Sequence, residues 1–456
     1  MNPFWTALRN NALSCLAIFK SGLSLRSGSQ SNGTMLPAGR NFFYHLHPLK
    51  VRERSFRLTT TFGLGLITMV LFGVLVLTGL LLMVYYVPSL KLAHGTMEDL
   101  QYAVTFGAFV RSCHRLAAHA MVVSVALHLI RVFLHGAYGG RSLNWLIGVA
   151  LFSLTILLAF TGYLLPWDQL SYWAVNVSAG LIDQVPLVGG MLKSVLLGSD
   201  SVGQRALIRF YTLHVTLLPG ALTALLVWHV WRIRKDGGLA ISKESPASNS
   251  LVPAMPDLVL REIALLLLVL LALAALSIVY SAPLGLPPDM HRPSNPEKTP
   301  WYFLWLQEMV SYSAPVGGFG FPLLLGLGLL LVPFVDRTPR GVGKWPKERV
   351  AWGIVFVASI AIFVLLEILY SSPGFVSWLV GKPVWFLDLV NPATGMLITA
   401  MVAFFALGTI YKTPRVALLG GATVLIVAVT GFGLMGFCRG PDWVFFWPWE
   451  VSSFAK

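Results

Sequence analysis

The chain has 456 residues, 56% of them hydrophobic and only 11% charged, with a mean hydropathy of +0.73. Soluble domains carry about 25% charged residues, so this composition excludes an ordinary globular protein and reads as an all-α integral membrane protein. The formal net charge of +14 would suit nucleic acid, but its placement follows membrane topology, and no nucleic-acid partner is expected.

Residues 1–57 read as a cytoplasmic N-terminal extension. The apolar stretch Ala12 to Phe19 is too short to span a bilayer and suits an interfacial helix, with a Ser/Gly-rich linker from Ser21 to Gly39. Apolar runs long enough to span then recur at 62–86, 114–134, 145–165, 212–231, 259–281, 317–335, 351–370, 393–411 and 416–437. Arg40, Lys50, Arg52, Arg54 and Arg57 precede the first run; Arg232, Arg234, Lys235 and Lys243 follow the fourth. Arg337, Arg340, Lys344, Lys347 and Arg349 follow the sixth; Lys412 and Arg415 follow the eighth. Loops at the alternate junctions carry mixed charge, so the positive-inside rule puts the N-terminus in the cytoplasm. The cysteines, Cys15, Cys113 and Cys438, form no CxxC or CxxCH, and no covalent c-type haem, zinc site or iron–sulfur cluster is expected.

Four histidines carry the chemistry. His114 and His128 are fourteen residues apart on the second run, and His214 and His229 fifteen apart on the fourth. On a helix these spacings are roughly 21–22 Å and leave each pair within about 40–60° of a common face. Two such helices side by side make two bis-histidine sites at two depths of a ~30 Å hydrocarbon layer, the geometry for two stacked haems. His119 and His135 lack a partner at this spacing and are expected to be hydrogen-bonded structural residues.

Arg111 lies three residues before His114, and Arg131 three after His128. Guanidinium binds carboxylate in a bidentate fork, which suits haem propionates; snorkelling to the interface is the alternative. Gly65 and Gly79 on the first run, and Gly148 and Gly162 on the third, are also fourteen apart. Glycine costs about 1 kcal/mol in a helix interior, and its recurrence at this period is expected to let backbone approach a haem face. Close packing of small residues between membrane helices is the alternative.

The motifs RSCHR around His114, LHLIRV around His128, GYLLPWDQLSYWAV from Gly162, SVGQRALIRFYTLH from Ser201 and WHVWRIRKDGG around His229 resemble cytochrome b of the quinol-oxidising bc and bf complexes, most closely the bf type. The resemblance implies a four-helix dihaem bundle over 58–236, followed by about five further transmembrane helices. His114 and His214 would ligate the iron of an outer haem, His128 and His229 that of an inner one. Both haems would be non-covalent b-type groups, with Arg111 and Arg131 on their propionates. Asp168, in the Pro166-Trp167-Asp168-Gln169 stretch, would belong to the wall of an outer quinol pocket.

After a cytoplasmic linker at 237–257, the resemblance continues more weakly over 258–370, to a part that is a separate subunit in bf complexes. The outer loop there has Pro300-Trp301-Tyr302 where the family has Pro-Glu-Trp-Tyr, so Trp301 and Tyr302 would line the pocket without the usual glutamate. Glu297, Glu308 and Asp168 are the alternative proton acceptors. Gly63 stands where the bf type tethers an extra haem through cysteine, and Arg234, Lys235 and Asp236 lie where the inner quinone site would be. Residues 371–456 add two helices and an outer tail rich in tryptophan.

The resemblance thus implies the cytochrome b subunit of a quinol:cytochrome c, or similar acceptor, oxidoreductase in a bacterial plasma membrane. Electrons would pass through the two haems to an inner quinone site, coupled to proton translocation, with the inner haem at the higher potential. Its partners would be a Rieske iron–sulfur protein, a c-type cytochrome or other acceptor, the quinone pool and a second copy of itself. The alternative is a dihaem membrane anchor of a dehydrogenase or hydrogenase.

Overall fold

A computed structural model describes residues 50–53, 58–240, 251–337, 342, 347 and 349–451. The proposed interfacial helix at Ala12–Phe19, and most of the N-terminal extension and of the linker, lie outside the described residues. Nine helices among those described are long and apolar enough to cross a membrane: α1 Leu64–Tyr85, α2 Gly107–Leu134, α3 Ser142–Tyr163, α4 Gln204–Lys235, α5 Asp257–Val279, α6 Ala314–Val335, α7 Arg349–Ser371, α8 Pro392–Tyr411 and α9 Pro414–Phe437. They are the nine expected from hydropathy, with α2 and α4 starting several residues earlier.

Local chemistry sets their ends. Gly63, at φ +66°, precedes α1 in a left-handed conformation that a cysteine would hold under strain. Gly136, at φ +58°, turns the chain after α2. Asn391 and Thr413 cap α8 and α9 by accepting from Thr394 N and Val416 N, each followed by proline at the first helical position.

Helix α1 packs on α2, α3 on α4, and α2 on α3, closing a four-helix bundle. Helix α5 lies against α1 and α2, around Leu71, Ala117, Met121 and Leu273. Helices α6 to α9 form a second cluster around Met309, Phe321, Met396, Val424 and Phe432. Large apolar residues such as Leu77, Val84, Leu271 and Ile278 point outward, as a lipid solvent requires. A short strand pair, β1 Lys50–Arg52 with β2 Leu251–Pro253, joins the entry to α1 with the entry to α5.

The chain ends of these helices define two faces. The first face, nearest His114 and His214, carries short helices at Ala93–Tyr102, Gln169–Asp183, Gly189–Leu197 and Leu304–Tyr312. The loop between α5 and the last of these crosses back over the four-helix bundle: the Gly285 carbonyl accepts from His94 Nε2 at 2.8 Å, and the Gly285 N–H donates to Asp168 at 3.0 Å. On the second face, Tyr138 donates to Asp336 at 2.7 Å and Trp145 to the Leu329 carbonyl at 2.7 Å. Those two bonds dock α6 on the bundle.

Candidate haem and quinone sites

His214 and His229 are one residue further apart than His114 and His128. The difference is taken up by a π turn at Leu213–Leu217 within α4. Pro219 follows it and cannot donate to the preceding turn. The inserted residue lies between the two histidines, so the fifteen-residue spacing presents both imidazoles as a fourteen-residue spacing would on a regular helix.

The four histidines meet in two pairs at two depths. The His114 and His214 rings stand with centroids 6.3 Å apart and planes at 75°. Two imidazole nitrogens bound to one metal at roughly 2 Å each would put ring centroids about 6 Å apart, so the pair fits an iron held between them. Among the described residues no group of three or more His, Cys, Asp and Glu side chains is close enough to hold a metal ion.

Hydrogen-bond accounting fixes which nitrogen is available. Thr78 Oγ1 donates to the Val74 carbonyl at 2.7 Å and lies 2.8 Å from His114 Nδ1. A hydroxyl has one proton, so His114 Nδ1–H is the donor to Thr78 and Nε2 keeps its lone pair. Thr161 Oγ1 likewise donates to Leu157 O at 2.9 Å and accepts from His214 Nδ1 at 3.1 Å. On the second-face pair, Nδ1 of His128 and of His229 is buried and makes no standard hydrogen bond among the described residues, although the Asn144 backbone faces His229.

Each of the four glycines sits opposite one of the four imidazoles. A Cβ at Gly79 would lie 3.3 Å from His114 Cε1, and one at Gly162 only 2.5 Å from His214 Cε1; at Gly65 and Gly148 the distances to His128 and His229 are 3.5 and 3.6 Å. Glycine was expected to clear the face of a haem. In the structure the missing Cβ also leaves room for the facing imidazole.

The arginines take mainly backbone carbonyls as partners, with the Gln101 side chain on Arg111 and His135 beside Arg131. Arg111 is buried and donates to Gln101, to Ala282 O at 3.0 Å and to Pro283 O at 2.6 Å. Arg131 is buried, donates to Thr60 O and leaves Nε without a partner among the described residues. Both sit at the membrane edges of the bundle, one at each face.

Two of the acids weighed as proton acceptors are committed elsewhere. Asp168 caps the helix Gln169–Asp183: Oδ1 accepts from Ser171 N and Oγ, and Oδ2 from Gly285 N. Glu308 is fully buried in the second helical cluster, where it binds Arg439, Tyr312 and Trp443. Each is already engaged in a structural role, as a helix cap and in a buried ion pair. Glu297 differs. It is held by Ser294 and lies within electrostatic reach of Asp168 and Tyr163. Burial pushes its carboxyl above the usual range, Asp168 adds to the rise, and the Ser294 bonds oppose it.

Trp301 and Tyr302 both meet α2 at His119. Trp301 Nε1 donates to His119 Nδ1 at 2.7 Å, and Tyr302 stands edge-on to the same imidazole at 5.6 Å. Burial pushes the Tyr302 phenol up to about 12, against an opposing pull from Arg115. The Tyr163 hydroxyl, near Tyr302, is buried with no hydrogen-bond partner among the described residues. His119 is thus hydrogen-bonded, as expected, but to the loop that crosses the first face. That partner is 182 residues away in sequence, too far for local spacing to reveal it.

On the second face Asp236 pairs with Arg232 at 2.8 Å, while Arg141 donates to the Asp236 and Gly238 carbonyls. These contacts close the end of α4 against the start of α3.

A family model described as cytochrome b (N-terminal)/b6/petB matches residues 119–287. Cytochrome b6 of Emiliania huxleyi is 44% identical over 175 residues, covering 38% of this chain and 81% of that protein. Cytochrome b6 of Synechocystis sp. is 41% identical over 175 residues, covering 79% of that protein. A solved chain of a hyperthermophilic respiratory Complex III matches with a TM-score of 0.59 and 25% identity, over 86% of this chain and 94% of that one. That likeness reaches well beyond the first four spans. With two imidazole pairs on α2 and α4 and relatives matched over most of their length, the chain belongs to the cytochrome b family.

Proposed function

We propose that this cytochrome b oxidises quinol at the first face, beside His114 and His214, and serves a quinone site at the second, beside His128 and His229, within a Rieske/cytochrome b complex coupled to proton translocation. Membership of the family supports the coarser statement, a subunit of a Complex III-like quinol-oxidising assembly. The finer reading rests above all on the His114–His214 separation of 6.3 Å, with both Nδ1 protons held by threonine.

In this reading His114 and His214 hold one b-type haem, and His128 and His229 a second. Bound haem supplies one-electron transfer. The chain supplies the rest. Its threonines fix the imidazole tautomers on the first face. Gly65, Gly79, Gly148 and Gly162 leave space for the rings, and Arg111 and Arg131 bring buried positive charge to the two edges of the bundle. Trp301 and Tyr302 wall the quinol pocket, and Glu297 takes a proton released there, since its raised carboxyl suits a general base better than an ordinary surface glutamate. The basic residues of the second face support a cytoplasmic side for it in a bacterial plasma membrane, and in this reading a Rieske protein and a c-type or similar acceptor meet the opposite side, with a second copy of the chain alongside.

The test is a pyridine haemochrome assay on the purified protein, which should give two protohaems per chain, together with copurification of a Rieske protein. A preparation without protohaem would overturn the reading. Two haems with a dehydrogenase or hydrogenase in place of the Rieske partner would leave the haem sites standing and remove the quinol-oxidising assignment.

A further inference from the structure

We infer that His119 donates a hydrogen bond from Nε2–H to one ring oxygen of the quinone species in the first-face pocket. The inference deepens the quinol-oxidising reading and rests on it.

The argument starts from the indole. Trp301 Nε1 can only donate, and it lies 2.7 Å from His119 Nδ1 with the two ring planes within 24°. His119 Nδ1 must therefore be an acceptor. An imidazolium has no acceptor, so the Trp301 bond selects the neutral ring, and a neutral ring with a bare Nδ1 carries its proton on Nε2. Nε2 makes no hydrogen bond among the described residues, while Tyr302 braces the ring edge-on. The result is an oriented N–H donor with nothing to donate to.

Its surroundings suit a ligand. His119 is half-buried, and Trp301 is 48% exposed, so the cluster opens on one side. The buried Tyr163 hydroxyl, near Tyr302, is a second polar group without a partner among the described residues. His119 lies five residues along α2 from His114, a rise of roughly 7–8 Å with about 140° of turn, so a ring bound to it would lie at a neighbouring depth on another side of α2. A quinol oxygen that gives its proton to an acceptor such as Glu297 gains negative charge, and a preoriented N–H bonds that oxygen more strongly than it bonds the neutral hydroxyl. The loop thus carries an indole at the position that orients a histidine. His119 would be a catalytic residue, touching substrate, and Trp301 a positioning residue acting through it.

The experiment uses the whole purified complex and a short-chain benzoquinol. Haem content and the optical spectrum are the controls, and the readouts are kcat/KM and the infrared carbonyl band of bound benzoquinone. H119F should lower kcat/KM by about tenfold to a hundredfold, the range for losing one preorganised donor, and move the carbonyl band towards its free position. H119Q, which keeps an N–H donor, should stay within about tenfold of wild type. W301F, which frees Nδ1, should broaden or split the band as the tautomers mix. A carbonyl band unmoved in H119F, with kcat/KM within about twofold of wild type, overturns the inference while leaving quinol oxidation intact. Should H119F fail to assemble, an unchanged band in W301F overturns it instead. A wild-type complex with two haems that does not oxidise quinol would remove the functional reading itself.

Discussion

Arg439 grips Glu308 through Nε, at 3.0 and 3.1 Å from the two carboxylate oxygens, and through Nη2. The residues are 131 positions apart in sequence, and the pair fastens the chain after α9 to the short helix Leu304–Tyr312. Glu308 is fully buried, and Tyr312 extends the network to Glu367 on α7 at 2.8 Å. Removing one partner of a buried ion pair strands the other charge, at a cost of about 3–5 kcal/mol, whereas replacing both with apolar groups is often neutral. R439M and E308M should each lower the melting temperature of the detergent-solubilised protein, and the double variant should recover most of the loss. Additive losses in the double-mutant cycle would show that the two side chains do not act as a unit.

The threonines predict a difference between the two haem sites. Thr78 accepts from His114 Nδ1 at 2.8 Å and Thr161 from His214 Nδ1 at 3.1 Å, while His128 and His229 have no such hydroxyl. A hydrogen bond from Nδ1–H makes the imidazole a better electron donor and stabilises the oxidised metal. T78V should therefore raise the midpoint potential of the first-face haem, narrow its gap to the second-face haem and leave the latter unchanged. Redox titration by optical spectroscopy reads both. An unchanged first-face midpoint would mean that the hydroxyl only orients the ring.

The glycines grade themselves. An alanine at Gly162 would put its Cβ 2.5 Å from His214 Cε1, so the ring has to move; at Gly148 the corresponding distance to His229 is 3.6 Å, ordinary van der Waals contact. G162A should lose close to one haem per chain in the haemochrome assay. G148A should keep both and gain slightly in helix stability, since alanine is the better helix former by about 1 kcal/mol. Equal haem loss in the two variants would show that the clearance around His214 is not what the glycine secures.

The nine spans and the four histidines were legible because hydropathy and helical periodicity are local signals, and a bilayer tolerates few alternatives to them. The reason for the glycines was legible only in part. Their spacing matched that of the histidines they face, but a bare position facing a flat cofactor and one facing an imidazole give the same sequence. The fifteen-residue interval between His214 and His229 hid a π turn, because the period of a regular helix cannot register an inserted residue. The roles of Glu308, Asp168 and His119 were out of reach for a different reason. Each depends on a partner more than a hundred positions away: Arg439, the N–H of Gly285, and Trp301.

Glu297 gives the quinol pocket a pH signature. Its carboxyl is raised above 4.5, first by burial and then by Asp168, with the Ser294 bonds opposing. A proton acceptor must be ionised, so kcat/KM for quinol should be low when Glu297 is protonated and climb as pH rises through its elevated pKa, with the half-point above the value of a free glutamate. The sign for stability is the reverse. A carboxyl that binds its proton more tightly in the folded protein than in the unfolded chain favours the fold at low pH, and that contribution is lost as pH rises through the folded pKa. Activity is therefore gained over the interval in which this one group makes the protein less stable. E297Q should abolish the acidic limb of the rate profile and flatten the corresponding slope in melting temperature, with the haem spectrum unchanged. If the acidic limb persists in E297Q at the same half-point, another group accepts the proton and Glu297 serves only to hold Ser294.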